Sequence, residues 1–335
     1  MPLPLLLAGA AILAGGYGVK KGIDAKSDFS KADSLNSQAR SVYREASDGL
    51  DAAREQAQNA LMQLGKLKFS IYESKLIPFV EAFSQIKDID FQDEKLKEEF
   101  KLAGVSGSDL RAIERSAVGM QQVVTGGVTA LGAGGLAGLA AYGGVGTLAT
   151  TAGGTAIGSL GGAAATNATL AWLGGGALSA GGFGMAGGAA VLGGIVAGPV
   201  LAVGGMMLAS KAEEARHNAS SNLNKARMAA EEMQTATVAT GAIQKRFAEI
   251  ASVLKKLNKE FAPMLEGLQQ RVAAGKNYKR YSRADKTGVM MAAALAKTIK
   301  NVMEAPVIDK DGALTAESRK VIAAAKLHLA ELEQA

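Results

Sequence analysis

Gly153-Gly154-Thr155-Ala156-Ile157-Gly158-Ser159-Leu160-Gly161-Gly162 sets small residues four positions apart inside a stretch, residues 116–210, that contains no charged side chain. The stretch is 95 residues long and holds 28 of the 42 glycines. Glycine at this density usually marks loops. Here it alternates with Val, Leu, Ile and Ala, and no proline interrupts it before Pro199. Gly154, Gly158 and Gly162 keep a four-residue spacing, as do Gly184 with Gly188 and Gly194 with Gly198. On an apolar helix that spacing makes a flat face for a second helix. At roughly 20 residues per span the stretch has room for about four spans, with breaks expected near Gly143-Gly144, Asn167 and Gly181-Gly182. Trp172, the single tryptophan, is the natural interface aromatic of this block. Leucine and isoleucine contribute about −0.5 kcal/mol each at the centre of a span. Each segment has only a handful of them, so helix–helix packing has to assist insertion.

Outward from this block the chain becomes charged and helical. Residues 22–115 read as one arm and 211–275 as another; residues 1–21 read as an apolar N-terminal anchor and 276–335 as a basic segment with C-terminal helices. The anchor ends at Lys20-Lys21, which favours a cytoplasmic side for the first arm. In that arm Tyr43, Ala46, Leu50, Ala53, Ala57, Ala60, Leu64, Leu67 and Ile71 are separated by alternating steps of three and four, the pattern of a coiled-coil seam. Pro78 is expected to end or kink that helix. Asp90 with Asp93, and Ser108 before Asp109, read as N-caps of short helices. In the second arm Ile243, Phe247, Ile250, Leu254, Leu257 and Phe261 form a matching seam, with Pro263 as its boundary. A helix near 289–303, a turn at Asp309-Lys310-Asp311-Gly312 and a final helix capped by Thr315 complete the chain. The fold class expected is all-α, with long antiparallel coiled-coil arms flanking a glycine-rich, multi-helix membrane block built from apolar hairpins.

Composition narrows the chemistry. The chain has no cysteine, which excludes disulfides, thiolate metal sites and a thiol nucleophile. Residues 20–115 carry 16 basic and 17 acidic side chains; residues 211–335 carry 21 and 14, so the excess positive charge of the protein lies after the glycine-rich block. Basic character beside an apolar segment suits an anionic surface. Gly144-Val145-Gly146-Thr147-Leu148-Ala149 mimics a dinucleotide fingerprint, but no Asp or Glu occurs after it before Glu213 to hold a ribose. His217 and His328, the only histidines, sit in charged helical contexts and read as surface residues. Asp309 and Asp311 begin like a calcium loop without its remaining ligands. No constellation of polar residues converges on a catalytic site, so no enzyme, no cofactor and no metal is expected.

The strongest local signal outside the block is Lys276-Asn277-Tyr278-Lys279-Arg280-Tyr281-Ser282-Arg283, with Lys286 just beyond it. Lys276, Lys279, Arg280, Arg283 and Lys286 interleave with Tyr278 and Tyr281. Basic residues suit anionic lipid headgroups and tyrosines suit the membrane interface. The same composition also fits stacking of single-stranded nucleic acid or a solvated connection between helices. Lipid is the better partner of the first two, because the apolar block is in the same chain.

The chain resembles a bacterial glycine-zipper protein group that is loosely labelled as chemotaxis proteins. The residues that carry the resemblance are Pro2-Leu3-Pro4-Leu5, the run from Gly161-Gly162-Ala163-Ala164 through Trp172 to Gly174-Gly175-Gly176, and Val191-Leu192-Gly193-Gly194 with Gly198-Pro199. It covers nearly the whole chain and implies nothing about activity. The arrangement of arms around an apolar insert is also similar to apolipoprotein-L-like proteins and α-helical pore-forming toxins, where an apolar hairpin is sheltered in one state and enters the bilayer in another.

The expected function is thus a helical protein that inserts into a membrane and oligomerises through glycine-lined helices, forming a pore or permeabilising the bilayer. Its expected place is a bacterial inner membrane with the arms on the cytoplasmic side, with a soluble form before insertion. The alternative is a membrane-anchored coiled-coil scaffold that binds protein partners or shapes the membrane. A third reading packs the glycine-rich block as a helical core within the protein.

Overall fold

The computed structural model describes residues 17–89, 104–124, 136, 139–141, 212–308 and 313–334, and every regular element among them is helical. Helix α1 spans Tyr17–Ile71, 55 residues and roughly 80 Å at 1.5 Å per residue. Its seam is the buried face: Leu50, Ala57, Leu64 and Ile71 recur every seven residues and are buried, and Ala53, Ala60 and Leu67 between them are half-buried. A π turn, Tyr72–Leu76, joins α1 to α2, Ile77–Phe83. Pro78 lies at the start of α2. Its ring would meet the carbonyl four residues back in a regular helix; the preceding turn widens so that the Ile77 N–H donates to the Tyr72 carbonyl instead. Pro78 therefore neither ends the helical run nor starts a loop.

Helix α3 spans Gly107–Val124. Its N-cap is Ser106 rather than Ser108: the Ser106 Oγ accepts from the Asp109 N–H at 3.2 Å and the Asp109 carboxylate accepts from the Ser106 N–H at 2.8 Å. Helix α4 spans Ala212–Ala274, 63 residues. All six seam positions from Ile243 to Phe261 are buried. Pro263 lies inside α4 and not at its boundary. It faces solvent, as does Lys259, so the carbonyl that Pro263 cannot reach remains open to water and the helix runs on. Helices α5, Arg283–Glu304, and α6, Ala316–Gln334, complete the series. Thr315 caps α6, accepting from the Ser318 N–H at 3.1 Å.

The chain divides into two compact units, Met1–Ala52 with Gly198–Thr237, and Ala53–Ala197 with Val238–Ala335. In the first, Ala39, Leu223 and Ala226 cluster with Leu35 and Tyr43, and the Asn222 amide donates to Asn36 at 3.3 Å. In the second, the core joins Leu61 to Phe79, Ile113, Met120, the α4 seam, the inner face of α5 and Ile322, Ala325 and Leu329 of α6.

The second unit corrects the antiparallel arrangement. Phe79 packs against Phe261 with ring centroids 5.8 Å apart. Further along both segments, the Lys87 N–H donates to the Lys276 carbonyl and the Tyr278 N–H donates to the Lys87 carbonyl, in a parallel bridge. Partner numbers rise together, so the first arm between Phe79 and Lys87 runs in the same direction as the end of α4. Heptad spacing selects the buried face of a helix and is silent on its direction.

The membrane expectations are corrected as well. Among the described residues no helix is long and apolar enough to cross a membrane. Both long helices bury one face and keep charged residues on the other, and the charge-free stretch begins inside protein. Ser116, Ala117 and Met120 are buried on α3, and Leu136, Leu139, Ala140 and Ala141 are buried in the main core. There the apolar side chains are covered by other helices of the same chain. The reading of a membrane-inserting, pore-forming protein of a bacterial inner membrane is overturned on this ground, and the membrane-anchored scaffold loses its support with it. The N-terminal segment 1–16, the glycines Gly154, Gly158, Gly162, Gly184, Gly188, Gly194 and Gly198, the interface residue Trp172, the caps Asp90 and Asp93 and the turn at 309–312 lie outside the described residues.

Candidate functional site

The candidate site lies where α4 ends and α5 begins. The Lys87 bridge pins Lys276 and Tyr278 by their backbones. A short 3-10 turn, Tyr278–Arg280, comes next, with the Asn277 side chain accepting from the Lys279 N–H at 3.0 Å. Ser282 then opens α5 with a capping box: its Oγ accepts from the Asp285 N–H while the Asp285 carboxylate accepts from the Ser282 N–H. The turn is therefore fixed at both ends. It borders a half-open cavity of about 360 Å³ whose polar lining is Arg271, Lys276, Asn277, Arg280, Tyr281 and Asp285.

Arg271 is the most constrained cation here. Its Nε donates to Asp285 Oδ1 at 2.8 Å. Its guanidinium fills space left by two glycines: a Cβ on Gly267 would lie 2.9 Å from Arg271 Nη1, and one on Gly288 would lie 2.9 Å from its Cζ. Gly267 stands one turn before Arg271 on α4, and Gly288 stands on α5, so the planar group occupies a slot between the two helices. The Asp285 carboxyl is held below its usual value by hydrogen bonds from Ser282 and then from Arg271. Tyr281 donates from its hydroxyl to the Gly275 carbonyl at 2.6 Å. Burial raises its phenol pKa, with Asp285 adding to the shift and Arg271 opposing it. Three cations against one carboxylate leave the lining net positive.

The structure brings part of the predicted set together. Lys276 and Arg280 line the cavity with Tyr281, and Lys279 and Arg283 lie outside its lining; all four basic residues are exposed. Lys286 turns inward, its ammonium 5.2 Å from the centre of the Tyr278 ring. Tyr278, expected at an interface, is instead core: it is 2% exposed and packs on Tyr281 at 5.8 Å. Sequence pattern does not single out Arg271 or Asp285. A signal for Arg271 exists in the i, i+4 pair Gly267–Arg271, but Gly288 joins it only through the fold.

A second polar group is buried in the core. Lys68 is fully buried on the α1 seam, its Nζ donating to the carbonyls of Leu139 and Ala140 at 3.0 Å each. Beside it the Tyr72 hydroxyl lies 3.0 Å from Ser116 Oγ, which hydrogen-bonds Glu304. Lys300 closes the series with an ion pair to Glu304 at 2.6 Å. His328, read as a surface residue, is half-buried and bonds Thr298 at 2.7 Å. Among the described residues no His, Asp and Glu cluster could hold a metal ion. The chain matches no protein-family model, no curated protein and no solved structure.

Proposed function

We propose that this chain is a non-enzymatic helical binding protein that takes phosphate-bearing ligands in the cleft between α4 and α5. The observation that carries this reading is Arg271, seated in a two-glycine slot and oriented by Asp285 at the edge of a cavity that Lys276 and Arg280 also line. A guanidinium held in place loses less entropy on binding and offers a planar fork that matches phosphate oxygens. The Asn277 side chain lines the same cavity and Tyr281 closes one wall. The positive excess of residues 211–335 adds long-range attraction for anions.

The ligand reading is tested by calorimetric titration of pyrophosphate, and by co-sedimentation with phosphatidylcholine vesicles with and without phosphatidic acid. Binding to pyrophosphate alone identifies a soluble phosphate ligand; binding to the acidic vesicles identifies a headgroup. In either case the double variant R271Q/R280Q loses at least tenfold in affinity. Absence of binding in both arms, or binding untouched by the double variant, removes the proposal.

A further inference from the structure

The turn that borders the cleft is pinned from a distant part of the sequence. The Lys87 N–H donates to the Lys276 carbonyl at 2.6 Å, and the Tyr278 N–H donates to the Lys87 carbonyl at 3.1 Å. These two bonds pair Lys87 with Asn277 in a parallel bridge. Residues paired in this way project their side chains to the same side, with Cβ atoms about 5 Å apart. Asn277 lines the cavity, so the Lys87 side chain leaves the backbone on the cavity side of the bridge. Pairing stops there, because Asp88 is left-handed with a φ of 63° and an extended run cannot continue through that conformation. On the other side Ile86 is buried in the main core. Lys87 is thus fixed at its backbone and exposed at its side chain. Among the described residues no acid forms an ion pair with it.

Resting on the reading of the cleft as a phosphate site, we infer that Lys87 is a further binding residue, which selects ligands with two linked phosphates over ligands with one. Arg271 is held in its slot, with its Nε committed to Asp285. Its remaining N–H groups suit the oxygens of one phosphate. The cavity, at about 360 Å³, lies in the lower range of small-ligand pockets and has room for more than one phosphate group. Lys87 stands outside the lining, on a separate segment of chain, beside Asn277. Lysine carries a compact charge on a flexible stem. Such a side chain can swing to a second phosphate that the fixed guanidinium does not reach. The backbone bridge keeps the root of that stem at a constant distance from the cavity, so the swing costs only side-chain freedom.

Calorimetric titration of the full chain with orthophosphate and with pyrophosphate tests the inference. Lys87→Gln removes the charge and leaves the bridge intact, since both bridge bonds use backbone atoms. It lowers pyrophosphate affinity about fivefold, the upper end for an exposed charge pair. Orthophosphate affinity and the melting temperature stay unchanged. Lys66→Gln removes one positive charge from an exposed position on α1 and changes neither affinity. Equal losses for the two anions, equal losses in the two variants, or no loss in Lys87→Gln each overturn the inference while the cleft reading stands. Binding of neither anion by the parent chain also overturns it, and co-sedimentation with the acidic vesicles then decides whether the cleft reading survives.

Discussion

The Lys68 ammonium nitrogen lies 3.0 Å from the Leu139 carbonyl oxygen with none of the lysine exposed to solvent. Burial lowers its pKa to about 7, and Glu304 restores part of the loss. Tyr72, on the π turn, is pushed up by burial and by Glu304, with Ser116 opposing. The groups facing Lys68 are therefore Tyr72, Ser116 and the Glu304–Lys300 pair. Between pH 7 and about 10 the unfolded chain keeps its lysine protonated and the folded chain does not. Stability then rises with pH across that window. The gain is on the order of 2 kcal/mol between pH 7 and 9, read as a higher denaturation midpoint. Above about pH 10 the trend reverses, because the unfolded chain releases the Tyr72 proton and the folded chain retains it. In Lys68→Met the rise between pH 7 and 9 disappears; its persistence would place the titrating group elsewhere.

Two glycines on α1 respond to alanine in opposite directions. Gly49 and Gly65 are both helical, so alanine favours the helix by about 1 kcal/mol at either. At Gly49 nothing lies within 4 Å, and that gain is realised as a raised melting temperature. At Gly65 the new methyl meets the Leu136 carbonyl, which is backbone and cannot rotate away. Overpacking of this kind costs about 1–3 kcal/mol, so Gly65→Ala melts lower than the parent. Thermal melts of the two variants under one condition decide the matter.

These two residues also show what a sequence carries and what it leaves open. The α4 seam from Ile243 to Phe261 was legible because a period near 3.5 with large apolar side chains admits one buried face, and each of its six residues is buried. Pro263 misled because proline forbids a hydrogen bond without saying whether the freed carbonyl meets water. The direction of the two arms was not legible, since a heptad reads the same against a parallel or an antiparallel neighbour. Lys68 stood at seam spacing from Leu64 and Ile71, a visible anomaly, but its partners are backbone carbonyls, and those have no signature in residue type. Absence of charge in 116–210 signalled avoidance of water. It could not distinguish lipid from a protein interior, and Leu136, Leu139, Ala140 and Ala141 lie in the latter. In the cleft, Lys276 and Arg280 were legible as a local basic cluster, whereas the Arg271 slot required two glycines on different helices.

Ser282 fixes the start of α5 through a reciprocal cap with Asp285, and Asp285 in turn orients Arg271. Ser282→Ala removes the cap hydroxyl and costs about 1 kcal/mol of stability, seen in thermal melts. It also frees the Asp285 carboxyl from its strongest hydrogen bond, at 2.6 Å, so the carboxyl pKa moves back up toward its ordinary value, measurable by carboxyl-carbon NMR. Ser282→Asp, which restores an acceptor for the Asp285 N–H, recovers stability in part. A carboxyl that stays low in Ser282→Ala would assign the shift to Arg271 alone.

Arg271→Lys separates charge from shape at the cleft. Both residues carry one positive charge, and an ammonium reaches Asp285 as easily as a guanidinium does. Only the guanidinium is planar, and it occupies the space that Gly267 and Gly288 leave open by lacking a Cβ. A lysine therefore leaves a void at Gly288 and presents a single point of charge. Pyrophosphate affinity falls about tenfold, the equivalent of one lost charge-assisted hydrogen bond, while the melting temperature changes by less than in Ser282→Ala. Filling the gap instead, with Gly288→Ala, moves the guanidinium aside and gives the same loss of affinity with the charge of Arg271 intact. If Arg271→Lys binds pyrophosphate as tightly as the parent, net charge alone governs the cleft and the glycine slot has no part in recognition.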